Sequence, residues 1–152
     1  MTPSRKTPSR RFFAIAAFAL FGVALTGAAP PPKSTPAETV QALYASLPRP
    51  TPLELLSPPL RVLMRKDLAR RERRLDFEWR SGGQNSPQIT GFRLHLARLK
   101  GDAATVEASF DNQGERRFRR FFLVRVAGRW LIDDALLVPE NGKLSDFLKG
   151  KG

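Results

Sequence analysis

After Pro87 the spacing of apolar residues changes, and that change sets the fold class. Upstream, Val40, Leu43, Tyr44 and Leu47 recur at three- and four-residue intervals, one stripe of a helix. Downstream, Phe92, Leu94 and Leu96 alternate with Arg93, His95 and Ala97, and Val106, Ala108 and Phe110 alternate with Thr105, Glu107 and Ser109. A period of two belongs to half-buried strands. A helical half followed by a run of antiparallel strands reads as α+β.

The helical half carries its own boundary marks. Thr35-Pro36-Ala37-Glu38 supplies a capping residue, a proline for the first helical position and a glutamate for a capping box. Pro48 stops that helix. Thr51-Pro52-Leu53-Glu54 repeats the signal for a short turn through Leu56. Ser57-Pro58 opens a third segment, in which Leu60, Leu63, Met64 and Leu68 predict helix to about Arg74. Leu75–Arg80 fits neither period, and 81–87 is a loop rich in Gly, Asn and Ser.

Four strands are predicted after Pro87. Lys100-Gly101-Asp102 and Asp111–Glu115 are turns, and Arg117–Val126 returns through Ala127-Gly128 into Arg129–Leu137. Gly128 can take the positive φ that a two-residue hairpin turn requires, and Trp130 is the large apolar anchor beyond it. Asn141-Gly142 breaks the chain before a short closing helix marked by Leu144, Phe147 and Leu148.

The first 28 residues have another layout. Arg5–Arg11 is basic, Phe12–Leu25 is an apolar run of 14 residues, and Thr26-Gly27-Ala28 is a small-residue site. This predicts a signal peptide, residues 1–28, cut between Ala28 and Ala29, and hence a periplasmic or secreted protein. The run is short of the roughly 18–20 residues that span a bilayer. Ser9-Arg10-Arg11-Phe12-Phe13 is similar to a twin-arginine signal, so both general and twin-arginine export fit. Residues 29–34 are a Pro-rich linker, and 35–149 form one domain.

Composition narrows the chemistry. With no cysteine and a single histidine, thiolate chemistry, disulfides and multi-histidine metal sites are excluded. No metal or cofactor is expected. Net charge is +12. Without Arg5, Lys6, Arg10 and Arg11, 22 basic and 14 acidic residues remain, a balance of +8. Such a balance favours anionic lipid, acidic polymers or acidic proteins.

The helix around Val40-Gln41-Ala42-Leu43-Tyr44, the opening Leu56-Ser57-Pro58-Pro59-Leu60 and the hairpin Gly128-Arg129-Trp130-Leu131-Ile132-Asp133-Asp134 together resemble the nuclear-transport-factor-two-like superfamily. More narrowly, they resemble a family of exported bacterial proteins of unknown function within it. The resemblance covers about 35–149. It implies a cone: N-terminal helices packed in the concavity of a curved antiparallel four-stranded sheet, with a short C-terminal helix. That family tends to carry an acidic residue and a Gln-Asp pair between helices and sheet. Asp76 and Gly83-Gln84-Asn85 stand there, with Asn in place of Asp.

Candidate site residues follow. Asp76 and Gln84 are expected at the cone mouth as ligand contacts, with Asp133 and Asp134 at the strand end as further candidates. Glu78 and His95 are the other groups able to move protons, but His95 alternates with Phe92, Leu94 and Leu96 and should face away from them. No catalytic set is assembled. Two arginine clusters are candidate anion-binding surface, Arg70, Arg71, Arg73 and Arg74 in one and Arg117 and Arg119 in the other. The second interleaves with Phe118, Phe121 and Phe122, a pattern that binds single-stranded nucleic acid and equally describes a two-faced strand. Nucleic acid is the less fitting partner for an exported chain. The expected function is a non-catalytic exported module binding a protein or small ligand. The alternatives are a lyase, isomerase or hydrolase with a carboxylate in the cone, and a basic module docking on an anionic surface. Membrane contact would come through the uncut leader or peripherally.

Overall fold

A computed structural model describes residues 34–151, and the leader and most of the linker lie outside the described residues. The architecture is α+β: helices α1 (Pro36–Ala45) and α2 (Pro58–Leu68), with a 3₁₀ turn (Leu53–Leu55) between them, precede a five-stranded antiparallel sheet. Its strands are β1 (Ile89–Lys100), β2 (Ala103–Asn112), β3 (Glu115–Val126), β4 (Arg129–Val138) and β5 (Gly142–Lys143), in that spatial order, and α3 (Leu144–Lys149) closes the chain.

The capping box at α1 forms as the sequence predicts. Glu38 N–H donates to Thr35 Oγ1 at 3.2 Å, and Thr35 N–H donates to the Glu38 carboxylate at 2.7 Å. Helix α1 lies against β1, β2 and β4. It buries Val40, Leu43 and Tyr44 against Val106, Ala108, Phe110 and Phe121. The Tyr44 ring meets Phe110 and Phe121 edge-on, with centroids 5.4 and 6.0 Å away. Ser57 N–H donates to Ile132 O at 2.7 Å, tying the start of α2 to β4.

Three expectations are corrected. First, the sheet has five strands, not four. Asn141 takes φ 58° and its N–H donates to Leu137 O at 2.8 Å. The chain therefore reverses tightly enough for Gly142 and Lys143 to pair with Leu137 and Leu136. Second, α2 stops at Leu68 rather than running to Arg74. The buried Asp67 carboxylate accepts from Arg74 N–H at 2.8 Å and from Leu75 N–H at 3.4 Å. A side chain that binds backbone donors seven and eight residues on turns the chain back instead of letting it coil further. Third, Thr51 caps nothing. Its hydroxyl accepts the Trp79 indole N–H at 3.1 Å, and the turn that follows has no side-chain cap.

The β3–β4 hairpin matches its expectation. Val126 pairs with Arg129, and both Ala127 (φ 48°) and Gly128 (φ 77°) take the positive φ of a type I′ turn. Strand β3 is two-faced. Arg119, Phe121 and Leu123 are buried, whereas Phe118, Arg120, Phe122 and Val124 are half-buried on the other side.

Candidate functional site

Residues 75–84 join the segment that fits neither period to the loop after it, and several side chains tether them to the rest of the domain. Glu78 N–H donates to Gly83 O at 2.8 Å, making a tight hairpin with Trp79 and Arg80 at its apex. Both side chains are fully inside. Arg80 donates Nε and Nη2 to the two Glu78 oxygens at 2.7 Å each, Nη1 to Ser46 Oγ at 2.6 Å and Nη2 to Arg49 O at 2.7 Å. The bidentate pair with Glu78 braces the loop internally, and the bonds to Ser46 and Arg49 fasten it to the chain just after α1.

On the other side, β3 reaches up with Arg119. Its Nε donates to Trp79 O at 2.8 Å, Nη1 to Val138 O at 2.7 Å and to Glu140 Oε2 at 2.9 Å, and Nη2 to Glu140 Oε1 at 3.0 Å. Gly82 lies directly over this pair. A Cβ there would stand 2.5 Å from Arg119 Nη2 and 2.7 Å from Glu140 Oε1. Asn112 completes the anchoring, donating to Ser81 O at 3.0 Å and accepting from Gln88 N–H at 2.9 Å. A charge this deep is tolerated only when paired and hydrogen-bonded, and both arginines meet that condition.

The tethered loop forms one wall of a groove of about 510 Å³. Met64 and Leu68 of α2 form a second wall, and Pro48, Pro50 and Thr51 a third. Trp79, Leu75 and Phe77 supply apolar lining from the loop, while Asp76, Glu78, Gln84 and Arg73 supply polar groups. Asp76 and Gln84, eight positions apart in the chain, thus come to one groove. Both are exposed. Asp76 is paired with no cation among the described residues. Glu78, by contrast, is held by Arg80. A volume of this size lies within the range of small-ligand sites.

A second cavity, about 420 Å³, lies between α1 and the start of β1 and is lined by Tyr44, Leu47, Pro48, Pro87, Ile89 and Phe92, among others. Its one acidic group is withheld from chemistry. Tyr44 donates its hydroxyl to Arg80 O at 3.0 Å, and burial pushes its pKa far above the ordinary phenol value, against the opposing pull of Arg119 and Arg80.

The remaining candidates separate. Asp134 is structural: its carboxylate accepts from Ser145 N–H at 3.0 Å and Ser145 Oγ–H at 2.7 Å, capping α3 from the neighbouring strand. Asp133 is exposed at the β4 bulge, beside Arg98 and Lys100 and away from the groove. His95 is exposed on β1. Arg70, Arg71, Arg73 and Arg74 are exposed, with Arg73 paired to Asp67 at 3.4 Å and Arg74 donating to Leu148 O at 3.3 Å. Arg119 is no surface group at all: as an inward position of β3 it is fully buried. Arg117 is also turned in, bonded to Glu115 and Glu140, with its Nε buried and unpartnered among the described residues. The second arginine cluster is therefore divided by the strand's two faces, which removes Arg117 and Arg119 from any anionic surface.

Sequence reasoning missed Asp67, Arg80 and Glu140. Arg80 was the most accessible of these, since an arginine beside a tryptophan in a stretch without a solvent-facing period signals burial of both.

Among the described residues no group of three His, Asp or Glu side chains gathers to hold a metal, and no helix is long and apolar enough to cross a membrane. Compared with protein-family models, curated proteins and solved structures, the chain matches none of them.

Proposed function

We propose that this protein is an exported, non-catalytic binding module that holds a small amphiphile in the groove bordered by Asp76, Gln84 and Trp79. The observation that carries the reading is the Asp76 carboxylate, which has no ion-pair partner among the described residues and lines with Gln84 one partly apolar groove. A carboxylate at the mouth favours a ligand with a cationic head, and the accessible Phe77, Leu68, Pro48 and Pro50 suit an apolar body. The cone arrangement, with the sheet bent round α1 and α2, and membership of the nuclear-transport-factor-two-like superfamily belong to the same reading. The leader sequence supports delivery to the periplasm or beyond.

The test is thermal unfolding of the protein against a series of alkyl and aryl amines. A binder at 100 times its Kd should add about 2.7 kcal/mol of stability. That gain should fall to near zero in Asp76→Asn and persist for the same amine with Asp133→Asn. A gain equal in all three proteins would end the assignment to this groove. Turnover of any screened compound that disappears in Asp76→Asn would replace the binding module with an enzyme using that carboxylate.

A further inference from the structure

At one end of the sheet the β1–β2 and β3–β4 turns lie side by side. Arg125 N–H donates to Asp102 O at 2.8 Å, and Arg125 Nε donates to Asp102 Oδ1 at the same distance. Two apolar residues stand out at these turns with nothing over them: Leu99 is 58% exposed and Val126 42% exposed, with Leu96 at 43% further along β1. Water-facing leucine and valine at hairpin tips contribute nothing to this core.

The same end collects cations. Arg98 and Lys100 line a depression of about 310 Å³ with Thr105, Phe122, Val124 and Asp133. Arg129, in the β3–β4 hairpin, is exposed. None of these three cations pairs with a carboxylate among the described residues. Arg125 is matched by Asp102, and Asp133 is the further acid nearby, so the cations outnumber the carboxylates.

A third observation concerns where the chain enters the domain. The Thr39 hydroxyl in the first turns of α1 donates to Trp130 O at 3.2 Å, so α1 begins beside the β3–β4 hairpin. The described chain therefore enters the domain at its basic, apolar-tipped end.

We infer that this hairpin end rests on an anionic lipid bilayer, with Leu99 and Val126 at the headgroup boundary and Arg98, Lys100 and Arg129 against lipid phosphates. Val126 shares its face of the sheet with Arg98, Lys100 and Arg129, while Leu99, opposite the buried Ala104, lies on the other face, so the end of the sheet meets the interface edge-on with an apolar tip on each side. Single-stranded nucleic acid fits less well, because it needs bare aromatic faces. The half-buried Phe118 and Phe122 carry Arg120 and Lys143 over their rings at 5.8 and 5.7 Å, and Arg125 lies over Trp130 at 5.5 Å.

The absence of cysteine allows a direct test. The full chain would carry a single thiol from Leu99→Cys, Val126→Cys or, in the loop before β1, Ser86→Cys, each labelled with an environment-sensitive fluorophore. On vesicles of phosphatidylglycerol and phosphatidylcholine in equal parts, the labels at 99 and 126 should shift to the blue and brighten about threefold, as partial burial at the interface requires. The label at 86 should not respond. Salt at about 0.5 M, where screening acts within roughly 4–5 Å, should reverse the response, and Arg98→Glu with Lys100→Glu should abolish it. An equal response at all three positions would show that the leader alone holds the protein there and would overturn the proposal. So would an equal response on pure phosphatidylcholine, or none on either vesicle. Should the double variant unfold, the salt series decides by itself. The Asp76→Asn variant should keep the full response, which separates this surface from the groove reading.

Discussion

Arg119 of β3 donates its Nε–H to the carbonyl oxygen of Trp79, 40 positions away in the chain, at 2.8 Å. One inward-facing side chain thereby holds the apex of a loop whose sequence has no regular period. Its charge is balanced by Glu140, which is contributed by the turn after β4. Loop, sheet and turn meet at this contact, and the groove wall depends on it.

Removing Glu140 should therefore be costly. Glu140→Ala leaves the Arg119 guanidinium buried with only carbonyl acceptors, and loss of one partner of a buried pair costs about 3–5 kcal/mol. Urea unfolding should show a lower midpoint with little change in slope. A loss under about 1 kcal/mol would mean that water replaces the carboxylate freely.

Gly82→Ala should act on the same contact from above. The added Cβ would collide with Arg119 Nη2 and Glu140 Oε1, and the residue already sits at φ 71°. A non-glycine residue there costs about 1 kcal/mol in backbone alone, so a total near 2–3 kcal/mol is expected by the same unfolding measurement.

Tyr44 makes stability pH-dependent on the alkaline side. Burial raises its pKa in the folded protein, so the folded state keeps its proton where the unfolded chain, titrating near 10, releases it. The unfolded state then binds fewer protons, and stability falls as pH rises above about 10, by up to roughly 1.4 kcal/mol per pH unit. Tyr44 is the sole tyrosine, so absorbance at 295 nm reports it alone. Ionisation should coincide with unfolding, and Tyr44→Phe should remove this part of the slope. A phenolate appearing near pH 10 in the folded protein would contradict the geometry.

Asp134→Ala should loosen α3 without touching the groove. The helix has no cap from its own chain neighbours, and Asp134 supplies one from β4. Loss of such a cap costs about 1–2 kcal/mol. Amide exchange should quicken in Ser145–Lys149, while groove binding of an amine persists.

Much of the local structure was readable from the chain. The capping box at Thr35, the period of α1, the turn at Ala127-Gly128 and the alternation in β2 are local, because each is set by residues within a few positions of one another. The end of α2 was not readable. Asp67 looks like one more polar residue on a charged helix face until its carboxylate meets the amides of Arg74 and Leu75. Asp76 and Gln84 line one groove, whereas Asp134 was indistinguishable from a ligand contact until Ser145 folded back onto it.

What the amino-acid order determined alone is the class of the main described segments: helices before Pro87 and paired strands after it. Backbone propensity and side-chain period act over short distances and need no tertiary contact. What only the three-dimensional structure decided is the fate of each charge. Arg116–Arg120 is one dense cluster in sequence, yet the pleat turns Arg119 into the core and Arg120 out of it. The core then tolerates Arg119 because Trp79 and, from the distant end of β4 and its turn, Val138 and Glu140 converge on its donors.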